Sequence, residues 1–376
     1  MKKVAFIDTQ SVGNFHEIFN LSLLYIMSQS FERVEYFASK SSIENLKSKI
    51  SSNPTPENII FKQIYVPEGS TSWQIMLRNL YGAIKTFFLI IRFRKNKIYL
   101  GSLNSFSTPY LNLVSRVLKT EINIVCHGEL EYVIKKDIPL FKPLRIYKKL
   151  IFSFLQKKIQ PGITLLLLGD SIRTNLVALF PQNSNRYSVM NHPYFFKKNN
   201  TKPKEKSKIL NLGVVGFVSK EKGIDDFFLL AEYLREDIEK KNLKLNIIGS
   251  HNYNIADYPL VNFIANKSEK LTIDRFNNEI EKLDAVLFFY NSTMYKLTAS
   301  GAIFDAINNK KKIISLDNDY FRSVLGDSNI GIVCNNIGEM KKVIEEIISG
   351  KNSFYSTDAE FEEIQSRYDY KNILLP

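Results

Sequence analysis

Residues 210–226 read LNLGVVGFVSKEKGIDD. An apolar run ends at Gly216, a short polar loop follows, and Lys222-Gly223 opens a long amphipathic pattern. A run that is apolar on both faces fits a strand buried in a parallel sheet. The glycine marks a turn at the strand end, and the residues after Gly223 carry apolar side chains at helical spacing. Strand, glycine turn, lysine and helix start together make an anion-binding arrangement. The helix start offers unpaired N–H groups and the positive end of its dipole, and Lys222 adds a full charge. Asp225 and Asp226 fall in the first turn, where acids also suit the dipole. A plain βα turn with a solvated lysine is the bland alternative.

The same strand-then-helix unit recurs in both directions from this stretch. Downstream, strand patterns occupy 243–248, 261–265, 285–290, 312–316 and 331–335, with helical patterns at 224–240, 273–283, 302–308 and 337–349. Upstream, strand patterns occupy 4–8, 34–38, 59–66, 98–101, 122–127, 164–169 and 187–191. Helical patterns fill 17–29, 73–94, 109–118, 144–156 and 171–180. Such alternation predicts an α/β protein with two Rossmann-like, doubly wound domains facing a central cleft. The polar, lysine-rich FKKNNTKPKEKSK at 196–208 reads as the linker, which gives domains at 1–195 and 209–355. A partly helical segment at 356–376 is expected to return to the first domain.

Bulk properties narrow the class. A chain of 376 residues with 44% hydrophobic residues can build two ordinary cores. No apolar run approaches spanning length, TFFLII at 86–91 being about a third of what a membrane helix needs, and MKKVAFID opens directly on a strand pattern without a signal-peptide core. A cytoplasmic protein is expected, with Cys126 and Cys334 as reduced thiols inside apolar strands. The net charge of +13 suits an anionic partner, although a lysine-rich background composition would also produce it. No recognised nucleic-acid module is present.

With Gly216 and Lys222-Gly223, the second half resembles the GT-B glycosyltransferases, in particular the large retaining family 4. That family reads Gly-Arg-Leu, three variable residues, then Lys-Gly; here Phe217 stands at the arginine position. The order of strands after it, LNIIG at 245–249 included, matches as well. The resemblance places TMYKLTASGAIFDAIN, residues 293–308, on the family's donor site, where two glutamates flank a loop leading into a helix. Asp305 matches the second, ribose-holding glutamate, and Leu297 stands at the first. Ser300 and Gly301 match the loop that approaches the diphosphate, where a small residue and a glycine let backbone N–H groups reach an anion. Tyr295, Lys296 and Thr298 are further candidates for phosphate or sugar, and His251, after a family-like Gly249-Ser250, for the donor pocket.

In the first half, SVGNFHE at 11–17 places Gly13 and Asn14 in a loop resembling the family's acceptor or diphosphate loop. His16 and Glu17 beside it could form an acid–base pair. CHGELE at 126–131 carries the His-Gly that recurs in these enzymes near the transferred sugar, which gives His127 that role. Glu129 and Glu131 could orient or deprotonate an acceptor hydroxyl. His192, before Pro193, reads as structural.

The resemblance implies a nucleoside-diphosphate sugar as donor and a glycan or lipid-linked acceptor in bacterial surface-polysaccharide synthesis. Retention is the family's default, and inversion with a glutamate base stays open because Leu297 and Phe217 depart from the pattern. A sugar-nucleotide epimerase of the same fold, or a non-catalytic anion- or membrane-binding scaffold, would use the same framework. No metal and no cofactor are expected: there is no Cys/His ligand cluster, and Asp317-Asn318-Asp319 reads more simply as a turn. The basic, apolar patterns at 73–97 and 140–158 suit either packing on a sheet or peripheral attachment to the anionic inner face of a membrane.

Overall fold

A computed structural model of the chain describes residues 2–13, 15–50, 56–69, 71–135, 143–196, 209–290, 292–293, 295–352 and 356–376. The chain divides into two compact units. Unit 1 comprises Met1–Phe195, Leu297–Ala299 and Arg367–Pro376, and unit 2 comprises Phe196–Lys296 and Ser300–Ser366. The linker expected at 196–208 lies, apart from Phe196, outside the described residues.

Unit 1 is built on seven parallel strands: β1 Lys3–Ile7, β2 Arg33–Ala38, β3 Ile59–Gln63, β4 Lys97–Leu100, β5 Ile122–Cys126, β6 Ile163–Leu167 and β7 Tyr187–Val189. Between them run α1 Glu17–Ser30, α2 Lys40–Ile50, α3 Ser72–Arg92, α4 Thr108–Leu118, α5 Pro143–Gln156 and α6 Asp170–Leu179. The sheet order is β3-β2-β1-β4-β5-β6-β7. Strands β1, β4 and β5 are buried almost throughout, as a sheet covered on both faces requires.

Unit 2 has six parallel strands: β8 Leu210–Val215, β9 Leu243–Ile248, β10 Val261–Phe263, β11 Ala285–Phe288, β12 Lys312–Leu316 and β13 Gly331–Cys334. Its helices are α7 Ile224–Tyr233, α8 Arg235–Glu239, α9 Ile273–Glu281, α10 Ala302–Asn308, α11 Asp319–Leu325, α12 Ile337–Ile348 and α13 Asp358–Tyr368. The order is β10-β9-β8-β11-β12-β13. The fold class is therefore α/β with two Rossmann-like, doubly wound sheets.

Several expectations need correction. The single helix expected at 224–240 breaks at Leu234 into α7 and α8. The helix α2 was hidden by its serines and lysines. The acidic run at 317–319 starts a helix: Asn318 caps α11 by accepting from Tyr320 N at 2.9 Å, and Asp317 pairs with Arg322. The return of the chain to unit 1 begins at Arg367, not at 356. There Tyr370 and Ile373 enter the core beside Met190 and Leu24, and Phe195 stacks on Tyr370 at 4.9 Å. A second return, Leu297–Ala299, has no counterpart in the sequence pattern.

Candidate functional site

Open α/β sheets bind ligands beyond the carboxyl ends of their strands, where strand order reverses. In unit 1 the reversal lies between β1 and β4, and in unit 2 between β8 and β11. The loops after these strands carry most of the candidate residues.

In unit 2, β8 runs into Gly216, whose φ of +84° suits a residue without Cβ. Gly249, after β9, packs against it so closely that a Cβ there would lie 1.9 Å from the Gly216 carbonyl oxygen. Gly223 caps α7 with φ +73°, and a Cβ on it would lie 2.4 Å from the Phe289 carbonyl oxygen. Glycines thus bring the β8 turn, the β9 end and the β11 end into backbone contact. A water-sized pocket of about 20 Å³ between them is lined by Phe217, Lys222, Phe289 and Tyr290. Among the described residues no carboxylate pairs with the half-buried Lys222, whereas Lys220 beside it meets Asp225 at 3.6 Å.

The stretch 293–308 divides between the units. Tyr295, in the left-handed region at φ +55°, stacks on Tyr290 with ring centroids 4.2 Å apart. Burial pushes the Tyr290 phenol up to about 12, and its hydroxyl shares hydrogen bonds with the Ser300 and Tyr295 side chains. Ser300 is buried, so its hydroxyl braces the turn. Gly301 is exposed, with open space where a Cβ would stand. Asp305 is a half-exposed position of α10, whose Ile303, Phe304, Ala306 and Ile307 are buried. Lys296 is exposed.

Residues 297–299 lie along the β5 end within unit 1. Glu131 Oε2 accepts from Leu297 N at 2.8 Å and from Thr298 Oγ1 at 3.2 Å. Ala299 N donates to the His127 carbonyl at 3.2 Å, and the Thr298 methyl packs over Gly128. Glu131 and Thr298 therefore anchor this return. An acid does reach the Leu297 position, but it comes from a 3₁₀ turn, Glu129–Val133, far away in sequence.

The β1, β5 and β7 ends of unit 1 bring three of the four histidines together. His16 stacks on His127 with centroids 3.9 Å apart, and Phe19 meets both His127 and His192 edge-on, at 4.4 and 5.1 Å. Burial holds all three imidazoles neutral. It lowers His16 to about 4 against the pull of Asp8, and His192 to about 3. His127 falls well below the usual range through burial and its two histidine neighbours, moderated by a hydrogen bond to the Gly101 backbone. Its Nε2 is buried with no hydrogen-bond partner among the described residues. Beside it, desolvation raises Glu129 to about 7, while N–H groups of the 127–129 backbone and Leu103 hold it down. Glu129 Oε2 takes His127 N at 2.9 Å and Gly128 N at 3.1 Å.

Other candidates have different work. His251 is fully buried, with Nε2 on the Ala265 carbonyl at 2.9 Å and Nδ1 accepting from Tyr253 N at 3.3 Å, so it braces the β9 loop. Glu17 pairs with Lys49 of α2 at 3.0 Å. Gly13, at φ +63°, donates its N–H to Ser41 Oγ at 3.0 Å, and Asn14 lies outside the described residues. Sequence reasoning missed Asp8. Its buried carboxylate ends β1 and accepts from Gln10 N, Ser11 N and Asn20 Nδ2, at 3.2, 3.0 and 2.8 Å, shaping the loop to His16. An acid directly after the apolar VAFI was the available signal. Both cysteines are buried and form no disulfide, and among the described residues no group of three or more His, Cys, Asp or Glu could hold a metal ion.

No protein-family model and no curated protein matches the chain. Solved structures do match in fold. The lipopolysaccharide outer core galactosyltransferase WaaB superposes over 98% of this chain and 97% of its own, with TM-score 0.61 and 15% identity. Anabaena Alr3699/HepE, solved with UDP and glucose, covers 99% and 96%, with TM-score 0.64 and 12% identity. A putative UDP-N-acetylglucosamine 2-epimerase from Listeria monocytogenes covers 98% and 93%, with TM-score 0.56 and 14% identity. At these identities the likeness shows a shared fold, that of the GT-B glycosyltransferases.

Proposed function

We propose that the chain is a glycosyltransferase that takes a sugar from a nucleoside-diphosphate donor to a glycan or lipid-linked acceptor in surface-polysaccharide assembly. The observation that carries this reading is the glycine platform at the β8 end of unit 2, with Lys222 unpaired by any described carboxylate. Backbone that close to backbone, at the switch point of a parallel sheet and beside an available cation, suits a diphosphate. HepE, a protein of like fold, was solved with UDP and with UDP-glucose, which supports the donor class.

In this reading Lys222 stabilises the charge that develops on the departing nucleoside diphosphate, so that no metal is invoked. Asp305 accepts hydroxyl hydrogen bonds from the ribose. In unit 1 the bare Nε2 of neutral His127 accepts a sugar hydroxyl, and Glu129, poised near pH 7, handles the acceptor proton. The resemblance favours retention of configuration, and proton NMR of the product anomer would reveal inversion instead. Calorimetry with UDP tests the donor site: Lys222→Ala and Asp305→Ala should each weaken binding by roughly tenfold or more, the worth of a charge-assisted hydrogen bond. Wild-type affinity in both variants would sink the assignment.

The histidine cluster favours a second reading. Three neutral imidazoles beside Glu129 and Asp8 could serve proton transfer on a sugar nucleotide, as an epimerase requires. Incubation with UDP-sugars alone separates the two: epimerisation without acceptor supports the second, and turnover only with an acceptor supports the first.

A further inference from the structure

The helix α3 leaves an apolar stripe uncovered. Trp73, Leu77, Leu80, Ile84 and Phe88 are between 44% and 62% exposed. At 100° per residue they fall within roughly 80° of the helix circumference, a single seam. The opposite face is spent on the sheet, where Ala83, Leu89 and Ile90 are buried. Next to α3 packs α4, joined by Tyr110 Oη donating to the Ala83 carbonyl at 2.5 Å and by a Phe87–Tyr110 ring contact. It adds Leu113 and Val117, 62% and 67% exposed. A soluble surface rarely gathers so many large apolar side chains without a partner.

Charge identifies that partner. Residues 72–97, 108–120 and 143–158, which contain α3, α4 and α5, hold thirteen lysines and arginines and no aspartate or glutamate. That number equals the net charge of the whole chain, +13. Lys85 and Arg92 flank the stripe at helical spacing, and exposed Arg94 and Lys95 close its end. We infer that this face of unit 1 docks on an anionic phospholipid surface. There α3 lies in the interfacial plane, its seam below the headgroups, Trp73 at the headgroup level and the lysines and arginines on the phosphates. A second copy of the chain is the poorer occupant, because a two-fold contact would press this cationic face against itself. Among the described residues no helix is long and apolar enough to cross a membrane, so the docking is peripheral. The inference rests on this surface alone and does not depend on the transferase reading.

Vesicle flotation tests it with the full chain. Vesicles of equal parts phosphatidylcholine and phosphatidylglycerol should carry the protein up at low salt. Pure phosphatidylcholine should bind at least roughly tenfold less, and added salt should release the protein. A variant combining Leu77→Gln, Ile84→Gln and Phe88→Gln changes only exposed positions and should keep its melting temperature while losing roughly tenfold or more in vesicle binding. Three outcomes would overturn the inference. The wild type could stay below the anionic vesicles, the triple variant could float as the wild type does, or sizing could show a wild-type dimer that the variant turns into a monomer.

Discussion

At the residue scale, position and partner decide what each acid and histidine can do. Glu131 looked like a candidate base, yet its carboxylate holds Leu297 N and the Thr298 hydroxyl. Glu131→Gln keeps an acceptor there, so activity should fall only a few-fold, whereas Glu131→Ala should cost about 1–3 kcal/mol of stability in urea unfolding. Loss of all turnover in the glutamine variant with full stability would restore the base role. The titrations oppose each other. Unfolded imidazoles take up protons near 6.5, while folded His16 and His192 wait until about 4 and 3. The unfolded state therefore binds more protons in that window, and the histidines' contribution is full above pH 6.5 and lost as pH falls towards 4. Glu129 has the reverse sign: its folded value of about 7 exceeds the usual 4.5, so it erodes stability as pH rises through that interval. Urea midpoints across pH should show His192→Gln weakening the loss on the acid side and Glu129→Gln removing the decline between about 4.5 and 7. Parallel curves for wild type and variants would contradict both. Residue identities at strand ends were legible because an exposed-type residue after an apolar run is conspicuous. Their grouping was not, since His16, His127 and His192 meet only through the order of β1, β5 and β7.

At the element scale, periodicity located all thirteen strands of the described residues, and it overran many of their ends. Strand patterns continued through Ile64, Val66, Leu168, Phe289 and Tyr290, which remain buried after the ladder has stopped. Apolarity reports burial, and burial outlasts pairing where a loop folds back over the sheet edge. The turns of unit 2 rest on glycines in tight quarters. Gly249→Ala would drive a methyl into the Gly216 carbonyl, and Gly223→Ala would drive one into the Phe289 carbonyl. Each should lower stability by about 1–3 kcal/mol, seen as a depressed melting temperature, with Gly249→Ala the worse. Alanine at Gly301, where space is open and φ is ordinary, should leave the melting temperature unchanged. A melting temperature unaffected by Gly249→Ala would mean that the β8 and β9 ends do not meet as described.

At the scale of the whole molecule, the doubly wound plan was readable from alternation alone, while of the chain's two returns to unit 1 only the C-terminal one was expected. Nothing in the polarity of 297–299 announces that this short piece belongs to the first unit, whereas the C-terminal return was expected from 356 and is made from Arg367. Their membership depends on three-dimensional partners: Glu131 for one, and Met190, Leu24 and Phe195 for the other. Removing residues 367–376 withdraws Tyr370 and Ile373 from the core of unit 1 and the Asp369 bridge from Tyr194. Two large buried side chains at roughly 1.5–3 kcal/mol each make this a severe loss for a marginally stable domain. The truncated chain should unfold at much lower urea or precipitate, and native-like unfolding would refute the claim. The same return sets an order of assembly during synthesis. Domains generally fold as they leave the ribosome, earliest first. Here the unit that is begun first receives its last core residues only after all of unit 2 has been translated, so a nascent chain must carry an incompletely sealed first domain while unit 2 is being made.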